Sequence, residues 1–235
     1  MVKKLPFLLT IFALALWVIP ASAFVSGPFT GTGTFDSLPV SATATFITST
    51  DTVEVQVYNN IANPTAVIQC LSDLGFVLST GETTGSISSF SAQERDIASG
   101  GSYTTAAATT TNWVLNNAVD FGAIGAGLKL NDLGSGEPEN TIIGQDDNNG
   151  SGSYSAANTS IAGNGPHNPL WFGDAANPVT FILDVPGVTD ATTVPFVQFS
   201  FGTVAGNNVN VPLPPGALLM GSGLLGLVLV RWRRV

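Results

Sequence analysis

The chain has 235 residues, of which 44% are hydrophobic and 10% charged, with one cysteine and a formal net charge of −9. Five of its seven basic side chains lie among the first four or the last five residues. Only Arg95 and Lys129 therefore face the sixteen acidic side chains of the body, which gives the body a net charge of −14. Such a body repels nucleic acid and anionic lipid, and a single cysteine excludes an internal disulfide.

The first 23 residues have the three zones of a secretory signal peptide. Lys3 and Lys4 form the positive start, an apolar run follows, and Ala21 and Ala23 supply an A-x-A cleavage site. The sequence therefore predicts export through the Sec translocon and cutting by signal peptidase, so that the mature chain begins at Phe24. An uncleaved N-terminal anchor is the alternative.

Residues 24–210 are predicted to form a single all-β domain of the sandwich or jelly-roll-like kind. Apolar and polar side chains alternate over 42–47 and over 53–58, which is typical of strands with one buried face. Residues 48–52 between them are turn-forming, so these two runs predict a hairpin. Residues 65–72 are predicted to form one short helix.

Later apolar runs predict further strands, and the last two runs are joined by the turn signature Pro186-Gly187. These strands are predicted at 74–78, 86–91, 113–115, 121–130, 179–185 and 196–202. Residues 99–111 are rich in Ser, Thr and Ala and suit a long loop, an edge strand or a glycan-bearing segment. Residues 132–169 are richer in Gly, Asn, Asp and Ser, and a loop of that length is usually functional or mobile.

One calcium-binding candidate lies in the Gly/Asn/Asp-rich region. Asp147, Asn149 and Ser151 place oxygen-bearing side chains at alternate positions, and Gly152 suits a sharp turn. Hard cations such as calcium prefer oxygen ligands of this kind. The twelfth position of the loop, where a calcium loop of this type carries Glu, is Asn158. An ordinary turn is the alternative, and the protein is otherwise predicted to need no cofactor.

Few residues suggest other chemistry. Trp171 could stack on a sugar ring, although an aromatic side chain on a strand is usually part of the core. Cys70 lies in an apolar context that predicts a buried structural thiol, and His167 is the single histidine. No G-x-S-x-G motif provides a nucleophile for His167 to activate. The chain is therefore predicted not to be an enzyme.

The C-terminal 25 residues combine a proline hinge, an uncharged apolar run and a basic end. The hinge is Val211, Pro212, Leu213 and Pro214. The basic end contains Arg231, Arg233 and Arg234. A helix over the uncharged residues 212–230 would span roughly 28 Å, close to the ~30 Å of a bilayer core. The arginines would hold that end on the cytoplasmic side and leave the body outside.

This tail resembles the PEP-CTERM sorting signal of bacterial exosortase substrates, in its VPLP variant, with Leu213 in the place of the Glu of the parent pattern. The resemblance implies that a membrane-embedded exosortase-type enzyme cuts near Pro212 to Pro214. The body would then reach the cell surface or the extracellular matrix. A plain membrane anchor is the alternative to a sorting signal.

Together these patterns predict three parts: a signal peptide at 1–23, an extracellular domain at 24–210, and a transmembrane sorting signal at 211–235. The predicted function is that of an exported bacterial surface or matrix protein with a structural or adhesive role, with extracellular polysaccharide as a candidate partner. A secreted carbohydrate- or calcium-binding module is the main alternative. A secreted hydrolase is a more remote one.

Overall fold

The computed structural model describes residues 23–133, 138–148 and 152–211. These residues form fourteen β-strands and no α-helix, with short 3₁₀ turns at Val67–Gln69, Gly122–Ile124 and Gly165–His167. In chain order the strands are Phe24–Phe35 (β1), Leu38–Ser49 (β2), Thr52–Asn59 (β3), Leu71–Val77 (β4), Ser86–Ser91 (β5), Gln93–Ile97 (β6), Tyr103–Ala107 (β7), Val114–Asp120 (β8), Ala126–Asn131 (β9), Ile142–Ile143 (β10), Leu170–Phe172 (β11), Val179–Asp184 (β12), Phe196–Phe201 (β13) and Asn208–Val211 (β14). The predicted all-β class is confirmed.

The strands form two sheets. The smaller sheet has the order β1-β2-β3-β12-β5 and is antiparallel throughout. The larger sheet has the order β14-β13-β4-β10-β11-β6-β7, and β9 pairs with both β4 and β8 beside this path. Strand β4 lies at the centre of the larger sheet, because β13 pairs along one edge while β9 and β10 share the other.

The two sheets enclose one apolar core. The smaller sheet contributes alternate residues such as Val55 and Phe181, and the larger sheet contributes Phe76 and Phe199, all of them fully buried. Period-two alternation explains this arrangement, because successive side chains of a strand point to opposite faces. The predicted hairpin is confirmed as β2 and β3, whose turn is only two residues long and includes Asp51 at a φ of 55°.

The region just before β4 differs from the prediction. Only Val67–Gln69 forms a 3₁₀ turn, so the short helix predicted over 65–72 is wrong. Leu71 already begins β4, which pairs with strands on both edges. Sheet pairing therefore decides the conformation of this apolar run, which agrees with the weak helix preference of its β-branched residues.

Two later strand predictions are confirmed with a changed connection, whereas the strand predicted at 121–130 is a 3₁₀ turn at Gly122–Ile124 followed by β9. The runs at 179–185 and 196–202 form β12 and β13, but these strands lie in different sheets, so Pro186-Gly187 lies on a link between sheets and does not close a hairpin. The segment 99–111 contains β7, the end strand of one branch of the larger sheet. The edge-strand interpretation is therefore confirmed for Tyr103–Ala107.

The two sheets come together where the first and last strands meet. Strand β14 packs beside β1, and a Cβ added to Gly31 would lie 2.6 Å from a ring carbon of Phe199. At Gly33 a Cβ would lie 2.9 Å from a methyl group of Val209. Glycine at these two positions of β1 allows β14 and β13 to approach so closely. Among the described residues no helix is long and apolar enough to span a membrane.

Candidate functional site

The Gly/Asn/Asp-rich region has little regular structure, yet much of it is buried. It covers the outer face of the larger sheet, away from the main core. A second buried cluster forms there from Cys70, Ile97, Ile143, Tyr154, Ile161, Ala162 and Leu170. The described part of this region is therefore packed on the sheet and is not a free loop, and it contains Asp147, one of the predicted calcium ligands.

Arg95 is a buried charged residue beneath this covering region. Strand β6 places its side chain in the buried layer, where it is 3% exposed, and its guanidinium carbon lies 3.6 Å from the ring centroid of Phe172 and 4.4 Å from that of Tyr103. One guanidinium nitrogen donates to the hydroxyl oxygen of Tyr154 at 2.6 Å. Aromatic faces attract a cation, so these rings stabilise a buried positive charge.

The two tyrosines connect Arg95 to the covering segment. The Tyr154 hydroxyl donates to the carbonyl oxygen of Gly144 at 2.8 Å, and the Tyr103 hydroxyl donates to Asp146 Oδ2 at 2.6 Å. Burial raises the pKa of Tyr154 well above its ordinary value. Burial and the Asp146 carboxylate also raise the pKa of Tyr103. Both phenols are therefore neutral hydrogen-bond donors at physiological pH, which suits a structural clamp better than a proton relay.

The loop predicted to hold calcium starts at this clamp. Asn149 and Ser151 lie outside the described residues, so only Asp147 of the three predicted ligands can be placed. Its carboxylate accepts hydrogen bonds from the amide and the hydroxyl of Ser153, at 2.8 and 3.2 Å. The amide of Ser153 is the main reason why the pKa of Asp147 is lowered. The exposed Asp147 carboxylate therefore accepts its hydrogen bonds from a residue six positions later in the chain. Calcium binding at this carboxylate stays a prediction.

Trp171 does not have the position that sugar stacking requires. Its side chain is 0% exposed and stacks between Phe90 and Trp113, with ring centroids 5.4 and 6.4 Å apart. The prediction of a sugar-binding Trp171 is therefore wrong, because alternation on β11 directs this side chain into the main core while Leu170 and Phe172 face the covering region.

An open groove lies between β5, an edge strand of the smaller sheet, and β8, an edge strand of the larger sheet. Its volume is about 630 Å³, and it is lined by Gly85, Ser86, Ile87, Ser88, Ser89, Phe90, Thr111, Trp113, Val114 and Leu115. No lining side chain ionises near neutral pH. The groove offers hydroxyl and main-chain hydrogen bonds to a neutral ligand and no group for proton transfer.

Neither candidate for nucleophilic chemistry is arranged for it. His167 closes a 3₁₀ turn, and its Nδ1 lies 3.1 Å from the carbonyl oxygen of Pro138. Cys70 is fully buried, as predicted, and burial raises the pKa of its thiol from 9.0 to about 12. The reactive form of a cysteine is the thiolate, so a buried thiol of this kind is inert.

The inertness of Cys70 can be tested by alkylation. At pH 8 a thiol with a pKa of about 12 is ionised in only about one molecule in ten thousand. We expect the native chain to stay unlabelled by iodoacetamide at pH 8. The same chain in urea should gain one adduct, because unfolding exposes the thiol. Mass spectrometry distinguishes the two states, and full labelling of the native chain would contradict the assignment.

The ends of the folded domain lie beside the predicted processing points. Ala23 is the first described residue and is exposed, while Ala21 lies outside the described part. Val211 is the last residue of β14 and pairs with Val197. The rest of the hinge (Pro212, Leu213 and Pro214) and the membrane-stop residues Arg231, Arg233 and Arg234 also lie outside it.

Comparison with protein-family models, with curated proteins and with solved structures finds no match for this chain.

Proposed function

We propose that this chain is an exported surface or extracellular-matrix protein of a bacterium, with a structural or adhesive role, whose β-sandwich body is delivered by a C-terminal sorting signal. The observation that carries the proposal is how the folded body fits between the two terminal segments. Strand β1 begins at Phe24, the first residue expected after signal peptidase, and β14 ends at Val211, directly before Pro212.

This fit supports processing at both ends. A cut before Phe24 and a cut near Pro212 to Pro214 would leave every strand from β1 to β14 intact. Strand β1 begins directly after Ala23, and β14 reaches Val211, the last residue that the structure describes. The pairing of Val211 with Val197 also holds the start of the hinge in the sheet, so the cut is expected to fall after Val211.

A structural or adhesive role is favoured over catalysis by the character of the buried polar groups. Arg95, Tyr103, Tyr154 and Phe172 hold the covering segment on the larger sheet through hydrogen bonds and cation–ring contacts. The net charge of −14 carried by the body suits a soluble, hydrated surface layer. Extracellular polysaccharide remains the candidate partner, and the neutral groove between β5 and β8 is where we would look for it.

Intact-mass measurement of the mature protein tests the proposal. The full gene is expressed in a bacterium that carries an exosortase-type enzyme, and the protein is recovered from the surface fraction. We expect an N-terminus at Phe24 and a C-terminus within Pro212 to Pro214. A mature chain that keeps Arg231 to Arg234 would refute processing, and recovery from the cytosol would refute export.

A pair of variants sharpens this experiment. Replacing Pro212 and Pro214 together with alanine removes the rigid hinge and should leave the uncut precursor in the membrane fraction. Replacing Pro215 with alanine makes the same chemical change one residue outside the resembling motif. That control should be processed like the unchanged chain. Equal processing of all three chains would show that the hinge is not recognised.

A further inference from the structure

Two aspartates lie buried together on the outer side of the larger sheet. Asp73 is in β4 and Asp132 directly follows β9, and each is 1% exposed. Leu74 and Phe76 face the main core, so alternation turns Asp73 to the opposite face. The pairing of Asp73 with Asn131 then brings Asp132 beside it, and the Asp132 amide donates to the carbonyl oxygen of Ser72 at 3.0 Å.

By geometric criteria the carboxylate oxygens of both residues accept no hydrogen bond within the described part of the chain, although Asp73 has an ion-pair partner in Lys129. The amides of Asp132 and Leu133 lie near Asp73, but they donate elsewhere, to Ser72 and to the Asn131 side chain at 3.0 and 2.9 Å. A buried carboxylate with neither a hydrogen-bond donor nor an ion pair, as at Asp132 among the described residues, is costly and rare, which indicates that a further group belongs here.

The local charges do not balance. The Lys129 ammonium nitrogen lies 2.6 Å from Asp73 Oδ2 and forms an ion pair with it. One ammonium against two carboxylates leaves one negative charge in a buried place. The pair therefore favours the arrival of another positive charge.

We propose that Asp73 and Asp132 form a binding site for a hard divalent cation of the calcium or magnesium type, and that the Lys129 ammonium takes its place when the cation is absent. The ligands are all oxygens, which such cations prefer. Two carboxylates neutralise one divalent cation fully once Lys129 turns away. Its side chain is 22% exposed, so a long stem can carry the ammonium to solvent.

Other groups would complete the coordination. No set of three or more His, Cys, Asp or Glu side chains suited to a metal occurs among the residues that the structure describes. Two carboxylates supply at most about four of the six to eight oxygens that calcium takes, and about two of the six at magnesium. Water and main-chain carbonyl oxygens are the usual ligands for the remaining positions. The site does not depend on how the chain is exported.

Calorimetry on the full-length chain tests the proposal. The chain is held in non-ionic detergent, stripped with a chelator, and titrated with calcium and, separately, with magnesium at pH 7. We expect Asp132→Asn to weaken binding by at least about tenfold, since even the partners of metal ligands are worth about 10- to 100-fold. Lys129→Met should tighten binding, because the competing ammonium is gone. The control Asp96→Asn, on the exposed face of β6, should bind like the unchanged chain.

A second readout uses the position of Trp113. Its Nε1 donates to the carbonyl oxygen of Asn140 at 2.9 Å, and the main chain of Asn140 lies close to the Asp132 carboxyl. A terbium ion at the proposed site should therefore luminesce when tryptophan is excited. Calcium should quench this signal, and Asp132→Asn should abolish it.

Several results would overturn the proposal. Loss of binding in Asp147→Asn but not in Asp132→Asn would place the cation in the Gly/Asn/Asp-rich loop instead. Absence of binding by either cation, with a more stable Asp132→Asn chain in chelator, would identify a carboxyl pair that shares a proton. If Asp132→Asn does not fold, as judged by circular dichroism, Lys129→Met decides: binding that is unchanged or weaker contradicts the competition by Lys129.

Discussion

Replacing Arg95 with alanine is expected to lower the free energy of unfolding by about 3 kcal/mol. The change removes a nearly fully buried side chain, whose loss leaves a cavity that the surrounding sheet fills only in part. It also removes the cation from the faces of Phe172 and Tyr103, contacts worth roughly 0.5–2 kcal/mol each. Urea denaturation of the full-length chain in non-ionic detergent measures the difference.

Two further variants separate these contributions. Arg95→Lys keeps the charge but loses the flat guanidinium that stacks on the rings, so an intermediate loss is expected. Asp96→Ala, at the exposed neighbouring position of the same strand, should change stability by no more than about 0.5 kcal/mol. Arg95→Ala should also speed proteolysis within residues 138–169, because the clamp holds that segment. A loss no larger than that of Asp96→Ala would show that Arg95 is not a structural centre.

The sequence predicts the strands with a clear alternating or apolar run and misses those that are short or mostly polar. The hairpin of β2 and β3 has a regular period of two, and its predicted strands lie within the observed ones. Strand β6 was not expected, because its residues Gln93–Ile97 are mostly charged or polar and resemble a loop. The sequence did contain one signal for this strand, the scarcity of basic residues. Arg95 is one of only two basic side chains in the body, and a rare cation among many acids is often held by specific contacts.

Strands β1 and β14 were missed for a different reason. Glycine and threonine in β1 weaken the strand signal, yet those same glycines are what allow β14 to pack against it. Strand β14 is short and polar on its outer side, and it gains its stability from pairing with β13. Contacts between distant parts of the chain decide both strands, and local periodicity does not carry that information.

The candidate sites were harder to predict than the fold. Asp73 and Asp132 are 59 positions apart in the sequence, and only the pairing of β4 with β9 brings them together. Asp132 also belongs to the start of a region rich in turn-forming residues, where one acidic side chain among several carries no particular signal. Asp147 was more conspicuous because its oxygen-bearing neighbours are close in sequence, but its carboxylate already accepts bonds from Ser153.

Replacing Trp171 with alanine is expected to have the largest effect, a loss of about 3–5 kcal/mol in the free energy of unfolding. The ring is wholly buried and is in contact with Phe90, Trp113 and Phe181, so its removal opens a large cavity between the two sheets. Its Nε1 has no hydrogen-bond partner among the described residues, so losing the polar atom itself costs nothing. Thermal unfolding of the full-length chain measures the change.

Trp171→Phe and Val204→Ala are the matched comparisons. Phenylalanine keeps an aromatic ring in the stack, fills part of the space and leaves no unpaired N–H group, so it should recover a large part of the lost stability. Val204 is 66% exposed, and its truncation should have almost no effect. If Trp171→Ala instead kept the full stability but lost binding to a glycan array, the ring would have to face solvent. Because a side chain that supports the core between two sheets cannot also present its face to a sugar, the stability of this one variant decides between the two roles.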